Sequence, residues 1–225
     1  MKALAFSGGK DSMACLYLLR DELSCAIYVD TGFTYPETFE MVRHASEIIP
    51  LHVVATNREM QNAENGIPSD IVPVDWTKLG MQVTSTKPIM VQSYIDCCLN
   101  NISLPLLQKA QQLGVTELVY GQRNDEAHRG TARDGDVIGG IRRSQPIEAW
   151  TSEQVLSFLS QHMELPSHFN LRHSSLDCYD CTAFRADSAD RIAWMASRYP
   201  AKHAEYQKRK DALDRVMEEA LYGVQ

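Results

Sequence analysis

Two groups of residues in this 225-residue chain have the types and spacing to do chemistry. The first is Ser7-Gly8-Gly9-Lys10-Asp11-Ser12, a glycine pair followed at once by a cation, a carboxylate and a hydroxyl. Glycines let a backbone approach an oxyanion closely, and amides at a helix start favour negative charge. The string does not satisfy the pattern of glycine, four residues, then Gly-Lys-Ser/Thr. Leu4 stands where its first glycine belongs, and Asp11 follows the lysine. The plainer alternative is a strand-to-helix turn with Asp11 or Ser12 as N-cap.

The second group is sulfur. Cys97 and Cys98 are adjacent, and Cys178 and Cys181 form a CxxC within DCYDC. Thiolates in such pairs hold zinc or iron-sulfur clusters, or work as redox thiols, and spacing alone leaves the three open. Cys15 and Cys25 lie in apolar surroundings and read as small core residues. A third feature is a run of arginines, Arg123, Arg129, Arg133, Arg142 and Arg143, within one short window. Such a run is either a solvated loop or an anion-binding arm.

The elements that must position these groups follow from periodicity. Residues 2–6 (KALAF) predict a strand running into the glycine pair, and 13–19 (MACLYLL) a buried helix after it. Residues 25–29 (CAIYV) predict a second strand, ending at Asp30-Thr31-Gly32. Pro36 and Glu37 open a helix that stops before Pro50. Strands follow at 51–55 and, after a helical stretch at 101–113, at 117–120. Strands alternating with helices predict an α/β fold whose parallel sheet is flanked by helices. Between Thr56 and Asp96 the periodicity fails, which predicts a long functional segment without clear structure. Gly121 to Gly140 reads as a substrate loop, and Thr151 with Gln154 as a capping box for a helix at 152–162. Helical patterns continue after Asp187. The expected organisation is a nucleotide-binding α/β core over 1–150 and a helical C-terminal segment over 151–225 that packs on it.

Bulk properties narrow the function classes. A net charge of −7 argues against broad nonspecific nucleic-acid binding. Neither a leader pattern nor an apolar run long enough to span a bilayer is visible, so the expected location is the cytoplasm, with no membrane partner. Six cysteines in that compartment read as metal ligands or thiols, not disulfides.

SGGKDS resembles the PP-loop of the ATP pyrophosphatase superfamily, an adenine nucleotide alpha hydrolase-like fold whose members cut ATP between the α and β phosphates. YVDTGFTYPET, GQRNDEAHR and PIEAWTSEQV resemble motifs of its phosphoadenylyl-sulfate reductase family. The resemblance implies that Ser7, Gly8, Gly9, Lys10, Asp11, Ser12, Asp30, Thr31, Gly32 and Gly121 bind the nucleotide. It also implies that Lys10, Asp11, Arg123 and Arg129 act catalytically on phosphate or sulfate. CC, then CxxC, with CCLNNISLPLLQKA after the pair, resembles the [4Fe-4S] motif of adenylyl-sulfate reductases. That implies a cluster on Cys97, Cys98, Cys178 and Cys181.

Family members that bind ready-made sulfonucleotides usually carry a degraded loop, whereas here it is intact. Residues 182–225 contain no cysteine to match the nucleophile of the reductases. The expectation is therefore an ATP pyrophosphatase using ATP and Mg2+, similar to enzymes of DNA phosphorothioation and tRNA thiolation. Its expected partners are a sulfur donor such as a cysteine desulfurase, a nucleic-acid acceptor reached through the arginine run, and a second copy of the chain in a homodimer. The rival readings are a sulfonucleotide reductase of sulfate assimilation and a noncatalytic ATP- and cluster-binding redox subunit.

Overall fold

The computed structural model describes every residue except 85–86, 127–129, 172–175, 177, 185–187 and 224–225. In chain order the described elements are β1 (Lys2–Phe6), α1 (Lys10–Leu19), β2 (Cys25–Asp30), α2 (Pro36–Ile48), β3 (Leu51–Ala55), α3 (Arg58–Asn65), β4 (Ile67–Ser69), α4 (Lys78–Val83), β5 (Val91–Ser93), α5 (Tyr94–Cys98), α6 (Leu104–Gln112), β6 (Glu117–Tyr120), β7 (Val137–Ile138), β8 (Ile141–Ser144), α7 (Ser152–Leu159), α8 (Ala189–Arg198) and α9 (Pro200–Tyr222). A π-helical turn at Leu99–Ser103 joins α5 to α6.

These elements form two compact units. The first comprises residues 1–30, 35–55 and 103–170. Its six-stranded sheet has the order β3-β2-β1-β6-β8-β7, parallel throughout except for the edge pair of β7 and β8. The central strands are β-rich apolar runs because both sheet faces are covered, as parallel sheets require. On one face Leu4, Phe6, Tyr28 and Val119 join Met13, Cys15 and Leu16 of α1, Met41 and Val42 of α2, and Val155 and Leu159 of α7. On the other, Ala3, Cys25, Ile27 and Leu118 pack on Leu106 and Ala110 of α6. The alternating strands and helices therefore give the expected α/β fold with flanking helices. Thr151 and Gln154 cap α7 reciprocally, as their spacing predicts.

The second unit comprises residues 31–34, 56–102 and 171–225. It holds the small parallel pair of β4 and β5 and an apolar centre of Trp76, Val91, Leu213, Val216 and Met217. Here the sequence reading is corrected: 56–96 is not a structureless segment, since α3, β4, α4, β5 and the start of α5 lie within it. Side-chain caps start the three helices, with Asn57, Thr77 and Ser93 each accepting a first-turn backbone N–H. The buried residues of α3 are Arg58 and Asn62, so its inward face is polar and leaves no apolar period to read.

Candidate functional site

In the first unit, β1 delivers the chain to Ser7-Gly8-Gly9, and α1 begins at the next residue. Gly9 is the N-cap, and no described side chain caps the helix, which leaves the first-turn amides for a ligand. The alternative reading, with Asp11 or Ser12 as N-cap, is therefore not taken up. Gly8 has φ of +78°, and a Cβ there would lie 2.7 Å from Thr38 Cγ2. Ser12 ties the loop together: its hydroxyl donates to the Gly9 carbonyl at 2.9 Å and accepts from the Ser7 amide at 3.3 Å.

Lys10 and Asp11 stand at the helix start, with Lys10 Nζ 2.8 Å from Asp11 Oδ2. The other Asp11 oxygen accepts from Arg123, which follows β6 and donates through Nε to Asp125 Oδ1 at 2.8 Å. Burial alone would lower the Arg123 pKa, but the Asp11 and Asp125 carboxylates outweigh it and hold the guanidinium charged. Gly121 lies between β6 and Arg123, and a Cβ there would stand 2.5 Å from the Asp11 carbonyl carbon. The loop, α1 and the end of β6 are thus packed backbone to backbone at the carboxyl edge of adjacent strands, where open α/β sheets bind ligands. Asp30 ends β2 two residues beyond the Phe6–Tyr28 register at the same edge.

Glu126 was not anticipated. Its carboxylate accepts from the Arg123 amide at 3.0 Å, and burial pushes its pKa up. Arg129 lies outside the described residues. The remaining arginines are not gathered into one face: Arg143 lies 3.8 Å from the Tyr120 ring centroid, Arg142 pairs with Glu117, and Arg133 is exposed.

In the second unit, Cys97 and Cys98 occupy the last turn of α5. Cys97 is buried, with Sγ 3.6 Å from Asn62 Oδ1 and 3.7 Å from Asn101 Nδ2. Cys178 lies 3.2 Å from the Thr31 hydroxyl. The CxxC turn closes through the Cys181 amide on the Cys178 carbonyl at 3.0 Å. The buried Arg191 holds it by donating to the carbonyls of Cys178 and Cys181 at 3.3 and 3.0 Å.

Inside that turn Asp180 accepts from both Arg58 and Arg209. Arg58 is the central surprise: it is 2% exposed, and its guanidinium lies 5.3 Å from the Phe33 ring centroid. Burial opposes its charge, while Cys178, Asp180, Cys97 and Cys181 favour it and raise its pKa. Burial pushes the Cys178 thiol up to about 12, with Arg58 and Thr31 acting against it. Among the described residues, no three His, Cys, Asp or Glu side chains are gathered into a metal-binding group.

Fold and loop together define a nucleotide-binding α/β protein. The chain belongs to the phosphoadenosine phosphosulfate reductase domain family, whose model matches residues 2–184, and it is an enzyme of that family. No curated protein matches the sequence. Among solved structures, the phosphoadenylyl-sulfate reductase from Candida auris in its phosphate complex aligns with a TM-score of 0.53 at 16% identity, covering 79% of this chain and 80% of that one. This likeness speaks to the fold. The FMN adenylyltransferase from Candida glabrata with FMN and an ATP analogue aligns at 0.47 and 13% identity, over 79% of this chain and 53% of its own. A predicted subunit of tRNA methyltransferase from Methanocaldococcus jannaschii aligns at 0.44 and 14% identity, over 88% and 87%.

No described helix is long and apolar enough to cross a membrane.

Proposed function

We propose that this chain binds Mg-ATP on the 7–12 loop and cuts it between the α and β phosphates, adenylating an acceptor oxygen for sulfur insertion of the DNA-phosphorothioation or RNA-thiolation type. The observation that carries this reading is the intact loop: an uncapped helix start behind two glycines, with Lys10 and Arg123 beside it.

Asp11 bridges those two cations with its two carboxylate oxygens. An incoming pyrophosphate group offers both a better anion, and the freed Asp11 oxygens are the hard donors that Mg2+ prefers. Asp11 would then hold the metal against the phosphate oxygens, which supplies charge neutralisation. The acceptor oxygen attacks the α phosphorus, the bond to the bridging oxygen breaks, and pyrophosphate leaves with its charge held by Lys10, Arg123 and the α1 amides. A sulfur nucleophile then attacks the atom that bears the activated oxygen, phosphorus in a phosphodiester or carbon in a base, and AMP leaves with that oxygen. A sulfur donor such as a cysteine desulfurase would supply that atom, and a nucleic acid is the proposed acceptor.

Cys97, Cys98, Cys178 and Cys181 have the donor chemistry of a [4Fe-4S] site and lie in one unit, although no three of them are gathered into a metal-binding group among the described residues. Bound there, a cluster would supply electron transfer or sulfide chemistry. A second reading, a sulfonucleotide reductase, is favoured by the family match over residues 2–184.

Anaerobic incubation with ATP, adenylyl sulfate and phosphoadenylyl sulfate in parallel decides between them. Pyrophosphate and AMP from ATP, lost in Lys10→Ala, support the proposal. ADP with orthophosphate from ATP defeats it. Sulfite from either sulfonucleotide establishes the reductase instead.

A further inference from the structure

The carboxyl edge of the six-stranded sheet carries a second polar group, on the face opposite the 7–12 loop. Where β6 ends, the side chains alternate: Arg123 reaches Asp11 of α1, whereas Tyr120 packs on the α6 side and Gln122 reaches Arg143 of β8. Gln122 Oε1 accepts twice, from Arg143 Nη2 at 2.5 Å and from Gln145 Nε2 at 3.1 Å. A guanidinium can only donate, so the amide cannot be turned over and its NH2 must point away from Arg143. Among the described residues none accepts from Gln122 Nε2. Gly130 stands before it, where an added Cβ would lie 3.8 Å away.

Several groups hold this one amide in place. Gln145 is 3% exposed, donates also to the Ala132 carbonyl at 3.3 Å, and gives its backbone N–H to Asp134 at 2.8 Å. Arg143 is stacked 3.8 Å from the centroid of the Tyr120 ring. Ordering a glutamine side chain costs rotamer entropy that a solvated amide does not repay, so a fixed NH2 with no protein acceptor is a binding group. Its ligand atom must be an oxygen acceptor. The charge of that oxygen is read from what stands behind the amide: the Arg143 guanidinium pulls on Oε1, polarises the N–H bonds toward the ligand and favours a negative charge there. Asp134 belongs to the same hairpin, but its carboxylate is engaged by the Gln145 amide and lies 3.8 Å from Arg142 Nη2.

We propose that Gln122, oriented by Arg143 and Gln145, binds an anionic oxygen of the acceptor, and that this acceptor is a nucleic-acid phosphodiester and not a base carbonyl. The inference rests on the adenylation reading above and narrows it. Gln122 and Arg123 leave adjacent Cα atoms, about 3.8 Å apart, one turned to the α6 side and the other to the loop. One chain segment thus serves both substrates, with Arg123 at the pyrophosphate of ATP and Gln122 at the phosphodiester.

The test uses the full chain labelled with nitrogen-15 and two dinucleotide probes. Thymidylyl-thymidine carries one phosphodiester, and its methylphosphonate analogue keeps both bases and loses the charge. The Gln122 side-chain NH2 signals are identified by their absence in Gln122→Glu, a variant that keeps an oxygen toward Arg143 and exchanges the donors for a second acceptor. Thymidylyl-thymidine should shift those signals saturably in the wild type. The methylphosphonate should bind the wild type at least about tenfold more weakly, and Gln122→Glu should lose at least about tenfold in affinity for the phosphodiester, as expected when a charged hydrogen-bonding group is left unpaired. Lys10→Ala should bind the phosphodiester as the wild type does. Equal affinity for the two probes overturns the inference, because the bases would then be what is recognised. Unshifted NH2 signals overturn it, as does undiminished binding by Gln122→Glu. Loss of binding in Lys10→Ala overturns it too, since the phosphodiester would then sit in the ATP site. A nonhydrolysable ATP analogue titrated into the same sample separates this inference from the reading beneath it. An analogue that fails to bind sinks the adenylation reading, whereas one that binds while the dinucleotide leaves Gln122 unmoved sinks the phosphodiester site alone.

Discussion

Replacing Gly121 by alanine tests whether the loop works by close backbone packing. An added Cβ would lie 2.5 Å from the Asp11 carbonyl carbon, 2.6 Å from its oxygen and 2.7 Å from the Ser12 nitrogen. Carbon atoms rest at about 3.5–4.0 Å, so α1 and β6 must part by about 1 Å. All three contacts are backbone, so no rotamer change relieves them. Overpacking of this kind costs about 1–3 kcal/mol, and a displacement of about 1 Å in a positioning element costs on the order of a hundredfold in rate.

Gly121→Ala should therefore lose about 2 kcal/mol of stability, and its affinity for Mg-ATP should fall at least about tenfold, which corresponds to 1.4 kcal/mol. Two other glycines calibrate the result. Gly9 is not left-handed and its Cβ would meet only Ser7 Oγ, at 3.4 Å, so Gly9→Ala should keep its stability and lose only affinity. Gly135 has φ of +85° with nothing within 4 Å, so alanine there should cost about 1–2 kcal/mol of stability and no affinity. Urea unfolding and calorimetric titration with a nonhydrolysable ATP analogue read both quantities. A Gly121→Ala protein that binds the analogue as tightly as the wild type would refute the assignment of the α1 start as the phosphate site.

Three further outcomes are expected. Serine at Cys97, Cys98, Cys178 or Cys181 should lower bound iron and sulfide, and stoichiometric zinc in protein never exposed to air would contradict the cluster. Cys15 and Cys25 are 0% and 3% exposed, and burial pushes both thiols up, so neither is a ready thiolate at neutral pH. The double alanine variant should keep ATP cleavage at a stability cost of about 1 kcal/mol per site, and the 225-residue chain should release no sulfite with thioredoxin. Glu126 has a folded pKa raised by burial, so the folded state holds its proton longer than the unfolded chain does. Its contribution should be lost as pH rises from the ordinary glutamate value toward the raised one, and Glu126→Gln should flatten the urea midpoint across that window. An unchanged slope would show that Glu126 ionises as if exposed.

The order β1-α1-β2-α2-β3 was legible because each element is an apolar run bounded by glycine, proline or a polar turn. The strand read at 2–6 is found at Lys2–Phe6, and the helix read from Pro36 runs to Ile48. The same rule failed from 56 to 96, where helices begin on side-chain caps and α3 buries an arginine and an asparagine. Apolar periodicity reports only elements that bury apolar faces. The π turn after Cys98 was likewise invisible, since a helical pattern at 101–113 does not distinguish the hydrogen-bond register inside it.

The two chemical groups differed in the same way. SGGKDS was legible as a glycine loop running into a helix because that arrangement is local, carried by six consecutive residues. The paired cysteines stand out in the sequence as candidate ligands, but their electrostatic surroundings do not. Arg58 pairs with Asp180 across 122 residues, and nothing local to either residue announces the other. In sequence Arg58 is one cation in a polar stretch, where the ordinary expectation is a solvated side chain. Only folding strips its water, and a charge so stripped must be answered by anions nearby. Asp180 answers it from inside the CxxC turn, so the buried pair beside the cysteines is one that no spacing rule could select.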